Sequence, residues 1–147
     1  MAAKDEIRVR KVKTGDAQRL AELSGQLGYP TSVKELKARL REVLKDRDAA
    51  CFVAEDGGRA VGWIHVSVTP LLEVEQRAEV NGLIVDEMMR SRGAGALLLQ
   101  AGEKWAWRKK CKGMSVRSNV IRERAHGFYL RNGYEHYKTQ KAFRKVL

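Results

Sequence analysis

The chain has 147 residues, 44% of them apolar and 32% charged, with a formal net charge of +11 at pH 7. This length suits one domain, residues 1–147, that buries about two thirds of the surface its unfolded form would expose. The sequence contains no hydrophobic leader and no run of about 18 apolar residues, which argues against a membrane partner.

The cysteines and the basic residues limit the compartment and the partners. Cys51 and Cys111 lie far apart without metal-ligand spacing, so we expect no metal and two ordinary thiols in a reducing, cytoplasmic protein. The positive charge favours an anionic cofactor or a polyanion. Lysines and arginines are spread over almost every segment instead of alternating with aromatic residues, so nucleic-acid binding is not the favoured interpretation.

The N-terminal third predicts a strand and two helices. Residues 7–11 alternate apolar and basic side chains, as a half-buried strand does. A first helix has Ala17, Leu20, Leu23 and Leu27 on one face and ends at Gly28. Ser32 and Glu35 form a capping-box pattern for a second helix. The predicted buried stripe of this second helix consists of Val33, Leu36, Leu40 and Leu44.

The remaining chain predicts strands that alternate with helices. Strands over residues 50–55 and 59–68 flank the turn signal Asp56-Gly57-Gly58, and a further strand covers residues 78–85. After it come a helix that extends to Lys110, a strand over residues 113–118, a short helix over residues 121–132 and paired strands over residues 134–145. The order predicts an α+β fold, a mixed and mostly antiparallel sheet of about six to seven strands with helices on both faces.

The segment Arg90-Ser91-Arg92-Gly93-Ala94-Gly95 lies between the predicted strand 78–85 and the helix after it. Glycines let a ligand approach the backbone, and the N–H groups of a helix's first turn attract an anion. Position 98 is leucine, so the third glycine of the dinucleotide-binding motif is missing. The segment therefore predicts an anion site without naming the anion.

Two motifs together give the sequence a family resemblance. The first has the form Arg/Gln-x-x-Gly-x-Gly/Ala directly after a strand, met by Arg90, Gly93 and Gly95. The second is an asparagine followed by a helix with Ala-x-x-Phe-Tyr and a closing Gly-Tyr, met by Asn119, Ala125, Phe128, Tyr129, Gly133 and Tyr134. With these two motifs, the chain resembles the GNAT superfamily of acyl-CoA-dependent N-acetyltransferases over nearly its whole length.

The resemblance implies acetyl-CoA as co-substrate and assigns the residues that bind it. Backbone N–H groups of Arg92, Gly93, Ala94, Gly95 and Ala96 would hold the pyrophosphate, beside Arg90. The pantetheine arm would pair with Leu83, Ile84 and Val85 like an added strand, and the Leu83 N–H would polarise the thioester carbonyl. Asn119 is expected either to contact the cofactor or to cap the following helix.

The resemblance also implies the catalytic groups. An attacking amine must lose a proton, and Glu79 has the spacing to Arg90 at which several members of the family carry a general base. By the two-residue period of a strand, Glu79 shares a face with Asn81 and Leu83. Tyr129 matches the tyrosine that protonates the leaving thiolate. His65 and His126 are interpreted as a structural group and a surface group.

The acceptor is less well specified. The segment from Thr69 to Met89 contains five acidic residues and one basic residue, Arg77, so its net charge is −4. In the family this region borders the acceptor, so Glu73, Glu75 and Asn81 are expected to contact a small cationic amine, such as a polyamine or an aminoglycoside. Transfer to a protein or peptide amine, or a non-catalytic module that binds acetyl-CoA or nucleic acid, are the alternatives. The oligomeric state stays open, a homodimer included.

Overall fold

A five-stranded sheet forms the centre of the first of two units into which the chain divides. The structure is a computed structural model and describes residues 6–147; the first unit extends to Arg117 and the second begins at Ser118. The units are described separately. The strands of the first unit are β1 (Arg8–Lys11), β2 (Ala49–Asp56), β3 (Arg59–Val68), β4 (Ala78–Val85) and β5 (Met114–Val116).

The strands lie in the sheet in chain order. β1 to β4 pair antiparallel, and β5 pairs parallel to β4. Gly57 and Gly58 take φ values of +58° and +81°, which suit the two-residue turn that joins β2 to β3. The parallel pair requires a crossover, and the helix after β4 supplies it. The mixed, mostly antiparallel sheet agrees with the sequence prediction.

Three helices belong to the first unit: α1 (Ala17–Gln26), α2 (Val33–Lys45) and α3 (Ala94–Arg108). The predicted cap of α2 is confirmed, because the Ser32 hydroxyl accepts a hydrogen bond from the Glu35 N–H at 3.1 Å. The predicted stripe is wrong at both ends, since Val33 and Leu44 are exposed. Leu36 and Leu40 pack inward as predicted, and Val43 joins them.

The helices cover opposite faces of the sheet. Leu20 of α1 and Leu40 of α2 share a core cluster with Cys51 and Val53 of β2, and Trp63 of β3 packs against it. On the other face, a Cβ atom placed on Gly102 of α3 would lie 3.0 Å from the Val66 side chain and 3.3 Å from that of Ile64. The apolar alternation along β3 thus serves two cores.

The second unit contains α4 (Glu123–Arg131) and the C-terminal segment. Residues 135–147 contain no strand, so the prediction of paired strands over residues 134–145 is wrong, and the sheet has five strands instead of about six to seven. A strand needs the hydrogen bonds of a neighbouring strand, and alternation in the sequence does not supply that neighbour. Tyr137 and Phe143 are accordingly exposed.

The described helices also bear on membrane insertion. Within residues 6–147, no helix combines the length and the apolar composition that crossing a bilayer requires.

Candidate active site

The turn between β4 and α3 has an unusual backbone. Asp86 follows β4, and its carboxylate accepts a hydrogen bond from the Met88 N–H at 3.0 Å in a short 3-10 turn. Ser91 and Gly93 then take positive φ values of +69° and +86°. Glycine adopts this left-handed conformation at little cost, whereas serine does so rarely. The chain is thereby bent so that α3 begins directly at Ala94.

The first turn of α3 offers backbone donors to an anion. Among residues 6–147, no side chain caps this helix, and its leading N–H groups have no acceptor within the helix. The partial positive charge of a helix N terminus adds to their attraction for an anion. Arg90 is exposed beside them, whereas the Arg92 guanidinium pairs with Asp56 at 3.2 Å. Arg92 therefore offers its main chain here, and its side chain fastens the turn to the β2–β3 hairpin.

The strand that leads into this turn has an open edge. β5 pairs with β4 only over Ala78, Glu79 and Val80. Within the part of the chain that the structure describes, no strand pairs with residues 81–85 on that side of β4. Main-chain groups along this stretch can accept an extended ligand as an added strand. The open edge and the turn before α3 are consecutive in the chain.

A bulge changes the faces of β4. His65 pairs with Gly82 and Val66 with Val80, so Asn81 is an extra residue without a partner in β3. Asn81 donates a hydrogen bond to the Ser67 hydroxyl at 2.7 Å, and Glu79 pairs with Ser67. Glu79 and Asn81 thus share a face, as predicted. Leu83 pairs with Ile64, which points to the opposite face, so the expected alternation is wrong at Leu83 because the bulge shifts it.

Gly82 lies in the same bulge and has no room for a side chain. A Cβ atom at this position would come within 2.7 Å of two carbon atoms of the Trp63 ring. The indole therefore lies directly against the Gly82 backbone. Trp63 in turn packs against the core cluster beneath α1 and α2, so the bulge is supported from that face.

Glu79 is bound by a residue that the sequence analysis did not single out. Arg117, just beyond β5, donates from Nε to Glu79 Oε1 at 2.7 Å and from Nη2 to Oε2 at 3.2 Å. The register accounts for this contact: Glu79 pairs with Ser115, and Arg117 follows two residues later on the same face. Predicting this contact requires the parallel register between β4 and β5, which the sequence alone does not reveal.

The other candidate side chains of the first unit differ in surroundings. Burial lowers the pKa of His65, although Asp46 opposes the shift, so the imidazole is neutral at pH 7. Glu73 and Glu75 are exposed in the loop between β3 and β4. Neither forms an ion pair with a residue in the described part of the chain. The same loop exposes Leu72 completely.

The second unit holds Asn119 and Tyr129. Asn119 Oδ1 accepts from the Ile121 N–H at 3.2 Å, and its carbonyl contacts His126 Nε2 at 2.8 Å. Asn119 therefore closes the turn before α4 without being the helix cap itself, which is Arg122. The Tyr129 ring makes edge contacts with Phe128 and Tyr134, and burial raises its pKa to about 12. Its phenol stays protonated throughout the neutral range.

The family follows from a comparison with known proteins. A family model described as the acetyltransferase (GNAT) family matches residues 17–134. The chain belongs to this family. The match begins at the start of α1 and ends just after α4, so it includes the turn before α3, Glu79 and Tyr129.

Individual relatives agree with this GNAT assignment. An uncharacterized N-acetyltransferase of Bacillus subtilis, YhfO, is 26% identical over 132 residues, which are 86% of this chain and 89% of the relative. The aminoglycoside N-acetyltransferase AAC(6')-Iy in complex with CoA has a TM-score of 0.89 at 19% identity, covering 100% of this chain and 99% of that one. The same protein with the bisubstrate analogue CoA-S-monomethyl-acetylneamine gives 0.86 at 20% identity, covering 97% and 99%. The structural likenesses show the fold.

Proposed function

We propose that this GNAT protein moves an acetyl group from acetyl-CoA to a primary amine by direct attack of the amine on the thioester. One observation carries the proposal: the open edge of β4 runs directly into the uncapped N terminus of α3. A cofactor with an extended, amide-containing arm and a pyrophosphate matches these two features in their order along the chain. The CoA complex of AAC(6')-Iy adds support from a protein of the same fold.

Binding of acetyl-CoA is proposed to rest mainly on the backbone. The N–H groups of residues 92–96 hold the pyrophosphate, and Arg90 adds charge. Leu83, Ile84 and Val85 pair with the pantetheine arm, and Asn119 contributes a further contact. The Leu83 N–H faces the thioester oxygen; a fixed donor of this kind lowers a barrier by about 3 kcal/mol.

Glu79 is the proposed general base. A primary amine of pKa about 10 is mostly protonated at pH 7, so a proton must leave before attack. Glu79 takes it, directly or through one water. The nitrogen then forms a bond to the carbonyl carbon and gives up its second proton to water, and the bond between that carbon and sulfur breaks. Asn81 and Ser67 lie on the same face as Glu79 and offer polar groups to the acceptor.

Tyr129 is the proposed acid. As the thiolate of CoA leaves, the phenol donates its proton to the sulfur. Burial raises the pKa of Tyr129 to about 12, so the group is in its donating form at every pH at which the enzyme would work. Its ring makes edge contacts with Phe128 and Tyr134.

The proposed acceptor is a small cationic amine, a polyamine or an aminoglycoside. The region from Thr69 to Met89 has a net charge of −4 in a chain of +11, and Glu73 and Glu75 are exposed within it. A local negative field attracts an ammonium group. The bisubstrate analogue CoA-S-monomethyl-acetylneamine in the complex with AAC(6')-Iy makes an aminoglycoside a suitable first member of the test panel.

Thiol release from acetyl-CoA tests the proposal, measured with aminoglycosides, polyamines and basic peptides as acceptors. We expect release that depends on a small cationic amine, with a product heavier by one acetyl group in mass spectrometry. A reaction without amine provides the control for hydrolysis. Turnover restricted to peptides would favour the protein-acetylating alternative, and no turnover with any amine would overturn the proposed reaction.

A further inference from the structure

The carboxylate proposed as the base is occupied by a cation of the protein itself. Arg117 contacts both oxygens of Glu79 through two different nitrogen atoms. The Glu79 side chain is 31% exposed and that of Arg117 is 81% exposed. The guanidinium thus occupies both oxygens of the carboxylate that an amine would have to contact.

We infer that Arg117 is a specificity-determining residue of the acceptor site, because the ammonium group of the acceptor must displace its guanidinium from Glu79. The inference rests on the proposed function and adds to it the step by which the acceptor gains access to the base. Binding exchanges one ion pair for another, so the affinity for the amine is reduced by the free energy of the pair that is broken.

The geometry permits this exchange. Exposed ion pairs contribute little to stability, because water competes for both charges and two long side chains lose rotamer freedom. Arg117 is the more exposed partner and follows the end of β5, whereas Glu79 lies within β4. The displacement costs no packing in either core of the sheet.

The exchange also restricts which amines bind well. After displacement the guanidinium stays within reach of the acceptor, because its backbone is fixed two residues beyond the partner of Glu79. A second positive charge on the acceptor close to the reacting amine would be repelled by the Arg117 guanidinium. We therefore expect the wild-type protein to prefer acceptors that present one ammonium group at Glu79, with further charges held at a distance.

Substitutions at Arg117 test the inference through the acceptor's Michaelis constant. Arg117→Gln should lower this constant by about two- to fivefold, the range of an exposed ion pair, and leave that of acetyl-CoA unchanged. Arg117→Lys should retain most of the wild-type value. Arg108→Gln removes the same charge from α3, which packs on the other face of the sheet, and should have no effect. In a Glu79→Gln background, Arg117→Gln should change the acceptor's constant no further.

A binding measurement separates this inference from the proposed reaction. In the ¹H–¹⁵N spectrum, the Nε–H signal of Arg117 should move when spermidine is added, toward its position in Glu79→Gln. No acetyl transfer is needed for this shift. A signal that stays in place while spermidine saturates the protein, or a raised acceptor constant in Arg117→Gln, would overturn the role of Arg117. Absence of spermidine binding would refute the polyamine acceptor, and failure of turnover with every amine would refute the proposed reaction.

Discussion

The turn before α3 and the face around Glu79 present opposite ways of building a binding region. The turn uses the backbone: Gly93 and Ser91 hold left-handed conformations, and the helix that follows has no capping side chain. The face around Glu79 uses side chains, with Arg117 on the carboxylate and Asn81 on Ser67. The two regions lie on β4 and its continuation. The turn depends on main-chain groups, whereas the face around Glu79 depends on side chains.

This difference explains why the sequence predicts the proposed cofactor more readily than the acceptor. Backbone donors are present whatever the side chains are, so a turn of this kind can bind an anion in many different sequences. Side chains vary freely on an exposed face and loop, and with them the acceptor. The following predictions test whether cofactor binding and acceptor binding can be changed separately.

The largest effect is expected at Tyr129, which is proposed to act on the leaving thiolate and to bind neither substrate. Tyr129→Phe keeps the ring and its contacts with Phe128 and Tyr134. We expect kcat to fall by about 100-fold, the lower range for loss of a general acid, with both Michaelis constants nearly unchanged. Steady-state kinetics and an unchanged melting temperature check this. A wild-type kcat would assign the acid to another group.

The next effect is expected from a negative charge in the backbone site. Ala96 lies in the first turn of α3, where a glutamate stabilises a helix through its dipole by about 0.3–1 kcal/mol. The same carboxylate repels a pyrophosphate. Ala96→Glu should raise the Michaelis constant of acetyl-CoA by roughly tenfold or more without loss of thermal stability. Ala96→Gln, equal in size and uncharged, is the matched control, and equal effects of the two variants would contradict the anion site.

A smaller effect is expected in the acidic loop. Changing Glu73 and Glu75 to glutamine removes two exposed charges that form no ion pair with described residues. Screened charges at this exposure contribute little, so the acceptor's Michaelis constant should rise by a factor of about 3, less at high salt. The constant of acetyl-CoA should not change. An unchanged acceptor constant at low ionic strength would remove the loop from the acceptor site.

The last prediction concerns stability and the anchor of the turn. The hydrogen bond from the Met88 N–H and, to a smaller extent, that from the Arg19 guanidinium lower the pKa of Asp86. They outweigh burial, which raises it. A folded-state pKa below the unfolded value stabilises the protein above that unfolded value, near pH 4, and the stabilisation disappears as the pH falls through the folded pKa. Asp86→Asn should cost about 1–3 kcal/mol at pH 7 and progressively less as the pH falls below about 4. Urea unfolding at pH 7 and across the acid range measures this, and a cost that does not fall with pH would contradict it.

The features that sequence reasoning predicted well are local ones. The turn at Gly93, the Ser32 cap of α2 and the glycines between β2 and β3 each act within a few residues, and the structure confirms them. The bulge at Asn81 and the contact between Glu79 and Arg117 depend on the register between strands that are distant in the chain. The absent strands over residues 134–145 have the same cause, because alternation does not specify a pairing partner.

Calorimetric titration with CoA tests the central claim most directly, namely that a backbone site before α3 holds the cofactor independently of the acceptor side. We predict binding at one site, weakened by Ala96→Glu and unchanged by Arg117→Gln and by glutamine at positions 73 and 75. Absence of binding to the wild-type protein, or equal weakening by the variants of the acceptor side, would contradict the account.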